Sequence, residues 1–299
     1  GWSNSGFAFN FNGDGFILSF SDVKGAAYVR IIIDNTFSQK YSVPNNGEKI
    51  IIENLKDGEH TATVIRITEG ENFSVSSIIL TGNEPEIGKK PHEKPLKIEF
   101  YGDSITCGYG VAAPGTAPGF TLFEEDSSRA YAYNVCEKLN ADGSYICVSG
   151  KGIVANCNGD RTDINAPVFY NWASKDKEVW DFSKWQADIV IVNLGTNDSW
   201  GGISHEEFYE EGTKFLHTLR LAYPTANLLW AYGMMDENKT LTIEKIVSDF
   251  NATDKKTHFV HVPSMNGFSD ETGGGGHPNT KLSERASNII SEYIKENIL

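Results

Sequence analysis

The sequence predicts two structural classes in one chain: an N-terminal β-sandwich over residues 1–85 and a C-terminal α/β/α domain with a mostly parallel sheet over residues 96–299, joined by a linker at 86–95. Three observations carry this reading. The front of the chain is a series of short, β-branched runs with no helical period. A stretch rich in proline and charge, "GNEPEIGKKPHEKP", follows. Beyond it, strand-like and helix-like segments alternate.

In the front part, "GFAFNF", "GFILSFS", "AAYVRIIID", "EKIIIENL", "HTATVIRIT" and "FSVSSIILTG" read as strands, separated by the turn signals "NGDG", "PNNG", "KDGE" and "TEGEN". In the rear part, "LKIEFYG", "SYICVSG", "ADIVIVNLG", "ANLLWAYG" and "THFVHVP" read as strands. "SSRAYAYNVCEKL" reads as a helix with Ser127 or Ser128 as its cap, and "HEEFYEEGTKFLHTLRLAYP" as a helix ended by Pro224. "SERASNIISEYIKENIL" closes the chain as a helix whose apolar stripe is Ala286, Ile289, Ile290, Tyr293 and Ile294. Strands separated by helices imply a parallel sheet covered on both faces.

Composition narrows the partners. The 299 residues carry 26 basic and 40 acidic groups, a net charge of -14, which disfavours nucleic acid and anionic membrane surfaces. No run is apolar enough to span a bilayer. The chain begins at Gly1 without the basic flank and apolar run of a signal peptide, and so reads as a trimmed mature chain or a fragment. The four cysteines, Cys107, Cys136, Cys147 and Cys157, form no C-x-x-C pair, and the histidines form no ligand cluster; no metal and no cofactor are expected.

Parallel sheets place their sites at the C-terminal ends of strands. The strand near Phe100 is followed by Gly-Asp-Ser, with Asp103 and Ser104. The next is followed by Ser149-Gly150-Lys151-Gly152, the third by Gly195-Thr196-Asn197-Asp198, and the last by a glycine-rich loop leading to His277-Pro278-Asn279. A serine hydroxyl needs a base to take its proton, and the resulting tetrahedral oxyanion needs fixed donors. Ser104 can be the nucleophile, His277 the base, and the Ser104 amide, the Gly150 amide and the Asn197 side chain the donors. Cys107 as nucleophile is the weaker reading, since a packed small residue explains it.

The blocks "GDSIT", "SGKG", "GTND" and "HPN" resemble, in order, the four blocks of the SGNH/GDSL hydrolases. With a sandwich in front, the chain is similar to carbohydrate esterase family 2, the acetyl xylan esterases. The opening "GFAFNFNGDGFILSF" and "YVRIIIDN" also look like that family's jelly-roll front domain. The resemblance implies a secreted or cell-surface serine esterase that removes O-acetyl groups from plant cell-wall polysaccharide or oligosaccharide of the xylan or glucomannan type, through an acyl-enzyme, within a multimodular enzyme. Carried onto this sequence, it gives Ser104, Gly150, Asn197 and His277. Two other readings stay open: a general short-chain esterase or lipase-like hydrolase, and a carbohydrate-binding protein with weakened catalysis.

The chain departs from the family where an aspartate usually sits just before the histidine. Here Gly273–Gly276 occupy that approach, and Glu271 and Asp270 are the nearest carboxylates. Three readings stay open: a backbone carbonyl orients His277, as in the Ser-His dyads of some members of the resembled family; Asp270 swings in; or another partner serves the histidine or the enzyme is weakened or inactive. Asp103, Asp198 and Gly152 read as supports of the turns. Trp200 is the leading candidate for a sugar-stacking wall, with Tyr109, Trp172 and Met235 behind it. Each has a plainer reading: Ser104 as a turn residue, Asn197 as a cap, His277 as a helix-start histidine, and the aromatics and Met235 as core. The loop "GYGVAAPGTAPG" is expected to line the cleft.

Overall fold

The computed structural model describes residues 1–299 apart from 116–118, 164, 176 and 266–269. The chain divides into two compact units: one holds Gly1 and Ser3–Glu93, the other Trp2 and Lys94–Leu299.

The first unit is built from strands β1 (Gly6–Gly13), β2 (Gly15–Ser21), β3 (Tyr28–Ile33), β4 (Phe37–Ser42), β5 (Lys49–Ile52), β6 (Gly58–Arg66), β7 (Ser74–Thr81) and β8 (Glu86–Ile87). They form two antiparallel sheets of jelly-roll character, ordered β4-β3-β6-β1-β8 and β5-β2-β7. The "NGDG" turn signal marks the corner where the chain passes from one sheet to the other. Asp14 fixes that corner, accepting from Thr81 Oγ1 at 2.7 Å while its amide donates to the Thr81 carbonyl at 2.9 Å. Alternation decides the core: Phe9 and Phe11, Phe16 and Leu18, and Val29, Ile31 and Ile33 are buried in one cluster. Phe16 meets Phe9 and Phe11 edge-on, with ring centroids 5.3 and 5.5 Å apart.

Two features of this unit differ from the sequence reading. "FSQKYS" forms β4, an edge strand whose residues are mostly exposed and so lack the apolar alternation that marks its neighbours. The stretch expected to be pure linker begins inside the sheet: β8 pairs with β1 at Phe11↔Ile87, and the Gly88 amide donates to the Asn10 carbonyl at 2.7 Å.

The second unit contains the strands β9 (Leu96–Gly102), β10 (Ala141–Cys147), β11 (Ile189–Asn193), β12 (Asn227–Tyr232) and β13 (Thr257–His261). Its helices are α1 (Ser104–Cys107), α2 (Tyr131–Leu139), α3 (Ala166–Phe169), α4 (Thr196–Trp200), α5 (His205–Ala222), α6 (Thr240–Asn251) and α7 (Thr280–Asn297). All strand pairs are parallel, in the order β10-β9-β11-β12-β13. The sheet sends alternate side chains to two cores. Val190 and Val192 join α5 and α6, while Ile189 and Ile191 join α2 and α7. On α7, Ala286, Ile290 and Ile294 are buried, with Ile289 and Tyr293 packed at the margin.

The expected serine cap of α2 is not formed. Ser127–Arg129 makes a 3-10 turn, and α2 starts after Ala130 without a side-chain cap. By contrast, α5 is capped by Ser204, whose Oγ accepts from the Glu207 amide at 3.1 Å. All four cysteines are free thiols, three of them buried and Cys157 exposed. No helix of the described residues is long and apolar enough to cross a membrane.

One buried acid follows from β9 itself. Glu99 is 3% exposed and accepts from Ser144 Oγ at 2.8 Å and Tyr101 OH at 3.4 Å. Burial pushes its carboxyl up to about 7. An unfolded glutamate titrates near ~4.3. Between these values the folded chain holds a proton that the unfolded chain has lost. This group's stabilising contribution is therefore present at low pH and lost as pH rises through about 7. A melting series should show Tm falling between about pH 4.5 and 7 and this group's share of the slope vanishing above that, with the slope reduced in Glu99→Gln. Equal slopes in the two proteins would contradict this account.

Candidate active site

The order of the parallel sheet reverses at β9, which has β10 on one side and β11 on the other. The crevice beyond the C-terminal ends of strands at such a switch point is where open α/β sheets build sites. The loops after β9, β10 and β11 carry Ser104, Gly150 and Asn197.

Ser104 opens α1, and the turn before it is tightly determined. Gly102 has no room for a side chain, because a Cβ there would lie 2.0 Å from Thr106 Oγ1. Asp103 Oδ1 accepts from the Ile105 amide at 3.0 Å, and the Asp103 carbonyl takes the amides of Thr106 and Cys107. Asp103 thus supports the turn, as its position in the sequence suggested. The Ser104 amide is left at the first helical position, where no intrahelical acceptor exists.

His277 reaches this serine from the far end of the chain. Its Nε2 lies 2.8 Å from Ser104 Oγ, and its Nδ1 lies 3.1 Å from the Gly275 carbonyl. A carbonyl oxygen only accepts, so Nδ1 carries the proton and Nε2 is left to accept from the Ser104 hydroxyl. Gly275 presents its carbonyl from a left-handed backbone, φ 59° and ψ 28°, which a residue with a Cβ adopts only with strain. The loop closes on itself: the Gly273 amide donates to the His277 carbonyl at 2.6 Å and the Asn279 amide to the Glu271 carbonyl at 2.9 Å. Asn279 then caps α7 by accepting from Lys281 and Leu282, so Pro278 precedes the cap rather than opening the helix.

Neither nearby carboxylate orients the histidine. Asp270 is drawn to Lys281, with Nζ 2.5 Å from its Oδ2. Glu271 is buried in a bidentate pair with Arg285, at 2.7 and 2.6 Å. The alternative in which Asp270 serves His277 is thus replaced by a carbonyl partner. The imidazole titrates below the ordinary histidine range, because burial disfavours its cation more than the Gly275 carbonyl favours it.

The three expected donors differ. Among the described residues no protein acceptor takes the amides of Ser104 or Gly150. Asn197 Nδ2, however, donates to Asp103 Oδ2 at 2.9 Å and to the Lys151 carbonyl at 3.0 Å. Both amide hydrogens are engaged, so an oxyanion at this place has to compete with the Lys151 carbonyl for one of them. The next residue, Asp198, collects the amides of Ile153, Val154 and Ala155 at 2.7 to 3.1 Å. It therefore ties the loop after β10 to the loop after β11. Gly152 lies against it, since a Cβ there would be 2.6 Å from Asp198 Oδ2.

The cleft candidates separate. Trp200, the last residue of α4, is 54% exposed. Tyr109 is partly buried with its ring centroid 4.3 Å from that of His277. Trp172 packs at the margin of a core with Phe169 and accepts from Trp2 Nε1 through its carbonyl, so it is a packing residue. Met235 is 5% exposed within the other core, with Met234 and Met265, and offers no free wall. Of the glycine-rich loop after Ser104, Val111 and Ala113 are buried, and 116–118 lie outside the described residues. Cys107, the other nucleophile considered, is fully buried in the core.

Comparisons with known proteins match this arrangement. A model of the GDSL-like Lipase/Acylhydrolase family covers residues 100–291, and one described as Carbohydrate esterase 2 N-terminal covers residues 1–95. The chain is 28% identical to the cellulase/esterase CelE of Acetivibrio thermocellus over 99% of its own length and 37% of that protein. It is 26% identical to an acetylxylan esterase / glucomannan deacetylase of Cellvibrio japonicus, over 70% of this chain and 60% of the relative. The chain thus spans less than two thirds of the length of these curated relatives. The structure of a family two carbohydrate esterase from Clostridium thermocellum, solved in complex with cellohexaose, superposes with a TM-score of 0.90 at 26% identity, covering 99% of this chain and 93% of that one. A parallel sheet with its blocks at the switch point, joined to a sandwich that matches a family-specific front domain, leads to one conclusion: the chain belongs to the GDSL-like lipase/acylhydrolase family, and its two-domain architecture matches that of carbohydrate esterase family 2.

Proposed function

We propose that this protein is a serine esterase that removes O-acetyl groups from polysaccharides or oligosaccharides of the xylan or glucomannan type. The observation that carries the proposal is the 2.8 Å approach of His277 Nε2 to Ser104 Oγ, with Nδ1 held by the Gly275 carbonyl. Support for the substrate class comes from the relatives: one acts on acetylated xylan and glucomannan by name, and another was solved with cellohexaose bound.

In this reading, Ser104 Oγ attacks the acetyl carbonyl carbon while its proton passes to His277 Nε2. The oxyanion faces the Ser104 and Gly150 amides, and Asn197 turns one hydrogen from Lys151 toward it. His277 then gives the proton to the departing sugar oxygen, leaving acetyl-Ser104. Water attacks that ester, its proton goes to His277, and the collapse of the second intermediate returns the serine and releases acetate. Asp103, Gly152 and Asp198 hold the turns, and exposed Trp200 offers a face for a sugar ring. The same reading places the protein outside the cell or at its surface, as one part of a multimodular enzyme.

The test is acetate release from acetylated xylan, acetylated glucomannan and a series of aryl esters of increasing chain length. Acetate from either glycan, with acetyl preferred over longer acyl groups, is expected. Hydrolysis of long-chain esters with no acetate from any glycan would make it a general esterase. Binding of glycan with no release would make it a binding module.

The histidine also predicts a pH profile. Only the neutral imidazole can take the serine proton, and burial holds His277 below the ordinary range. Activity should persist as pH falls to about 6.5 and be lost only below it, so the acidic limb of kcat/KM should have its midpoint under that value. A midpoint above it would contradict the assignment of His277 as base.

A further inference from the structure

We propose that Tyr109 is the positioning residue of this dyad, tying the turn that carries Ser104 to the loop that carries His277 and walling the imidazole where no carboxylate does so. The inference rests on the esterase reading of the site.

Tyr109 touches both halves of the pair. Its amide donates to the Ser104 carbonyl at 3.0 Å. Its ring lies 4.3 Å from the His277 ring, centroid to centroid, at an interplanar angle of 38°. The ring stacks on Phe120 at 3.7 Å and 13°. It also borders the residue whose carbonyl sets the tautomer: a Cβ on Gly275 would come within 3.0 Å of Tyr109 Cε1. The next residue completes the tie, since the Gly110 carbonyl accepts from the Gly274 amide at 3.0 Å.

The physical need is clear from the loop. Gly273–Gly276 gives up more conformational freedom on ordering than any other four residues would. A neutral carbonyl at 3.1 Å holds Nδ1 less strongly than a carboxylate does. A ring packed on both the imidazole and Gly275 restricts the tilt and slide that the glycines otherwise permit. The same aromatic ring favours the imidazolium that forms when the serine proton arrives.

The test uses an aryl acetate, whose small size keeps the outer sugar subsites out of the measurement. Tyr109→Leu keeps an apolar filling but removes the ring; Tyr109→Phe restores the ring without the hydroxyl. Tyr109→Leu should lower kcat roughly 10- to 100-fold with KM changed by less than about threefold, and Tyr109→Phe should recover most of that loss. In proton NMR, the His277 Nδ1 proton should be sheltered from exchange in the natural protein and in Tyr109→Phe, and be lost in Tyr109→Leu. Should Tyr109→Leu fail to fold, Phe120→Leu, which loosens the ring from behind, should move kcat and the Nδ1 proton in the same direction.

Unchanged kcat in whichever of these folds overturns the proposal, as does a loss confined to KM, or a Phe variant as impaired as the Leu variant. Ser104→Ala separates the levels. If it is inactive while the ring variants are normal, only the role of Tyr109 fails; if it stays active, the esterase reading beneath it fails.

Discussion

Ser104→Ala should lower kcat/KM for an aryl acetate by roughly 10,000-fold or more, while leaving a folded protein. The effect is large because no second group can take over the bond-forming step. The Thr106 hydroxyl and the Cys107 thiol, the next such groups in sequence, are both fully buried. Ser104 Oγ is the atom 2.8 Å from His277 Nε2, so its removal deletes both the nucleophile and the proton donor. The turn itself survives, because it is held by the Asp103 carboxylate and backbone groups rather than by the serine hydroxyl. The check is steady-state kinetics beside a melting curve. A well-folded alanine variant with near-normal turnover would remove Ser104 from the mechanism.

The second large effect belongs to the histidine, and its comparison with the neighbouring carboxylate tells a dyad from a triad. His277→Gln should cost about as much as the serine change, roughly 10,000-fold in kcat, because the two residues act as one unit. Asp270→Asn should change kcat by less than about twofold, since its partner is the exposed Lys281 and such surface pairs contribute little. A collapse in Asp270→Asn comparable to that in His277→Gln would mean that the carboxylate reaches the imidazole during turnover, and the carbonyl-oriented dyad would be wrong.

Much of this site was legible in the sequence, because its parts lie where strands end. The glycine, aspartate and asparagine that follow β9, β10 and β11 are each a break in an apolar run, and a break at that place has a geometric meaning. The glycine run before His277 showed that the usual carboxylate is missing there, but left a backbone carbonyl and Asp270 both open as its partner. What the sequence hid are contacts between segments distant along the chain. Nothing in "GYG" tells that Tyr109 stands on His277, and nothing in "GTND" tells that both Asn197 hydrogens are already engaged.

Elements were missed where the burial pattern was faint or overlooked. β4 is polar and mostly exposed, because an edge strand needs to bury little. α6 does carry a helical stripe, Ile243, Ile246, Val247 and Phe250, but its β-branched residues obscure it beside two strong strands. The charged stretch after β7 read as linker by composition, although its start pairs with β1 through backbone bonds that need no apolar side chain.

The central claim is that one serine and one histidine act as a single unit, and covalent labelling tests it most directly. Treated with a fluorophosphonate that mimics the tetrahedral intermediate and analysed by peptide mass spectrometry, the natural protein should carry one adduct, on the peptide containing Ser104. His277→Gln should label far more slowly under the same conditions. An adduct on another residue, or labelling of Ser104 at the same rate without the imidazole, would contradict it.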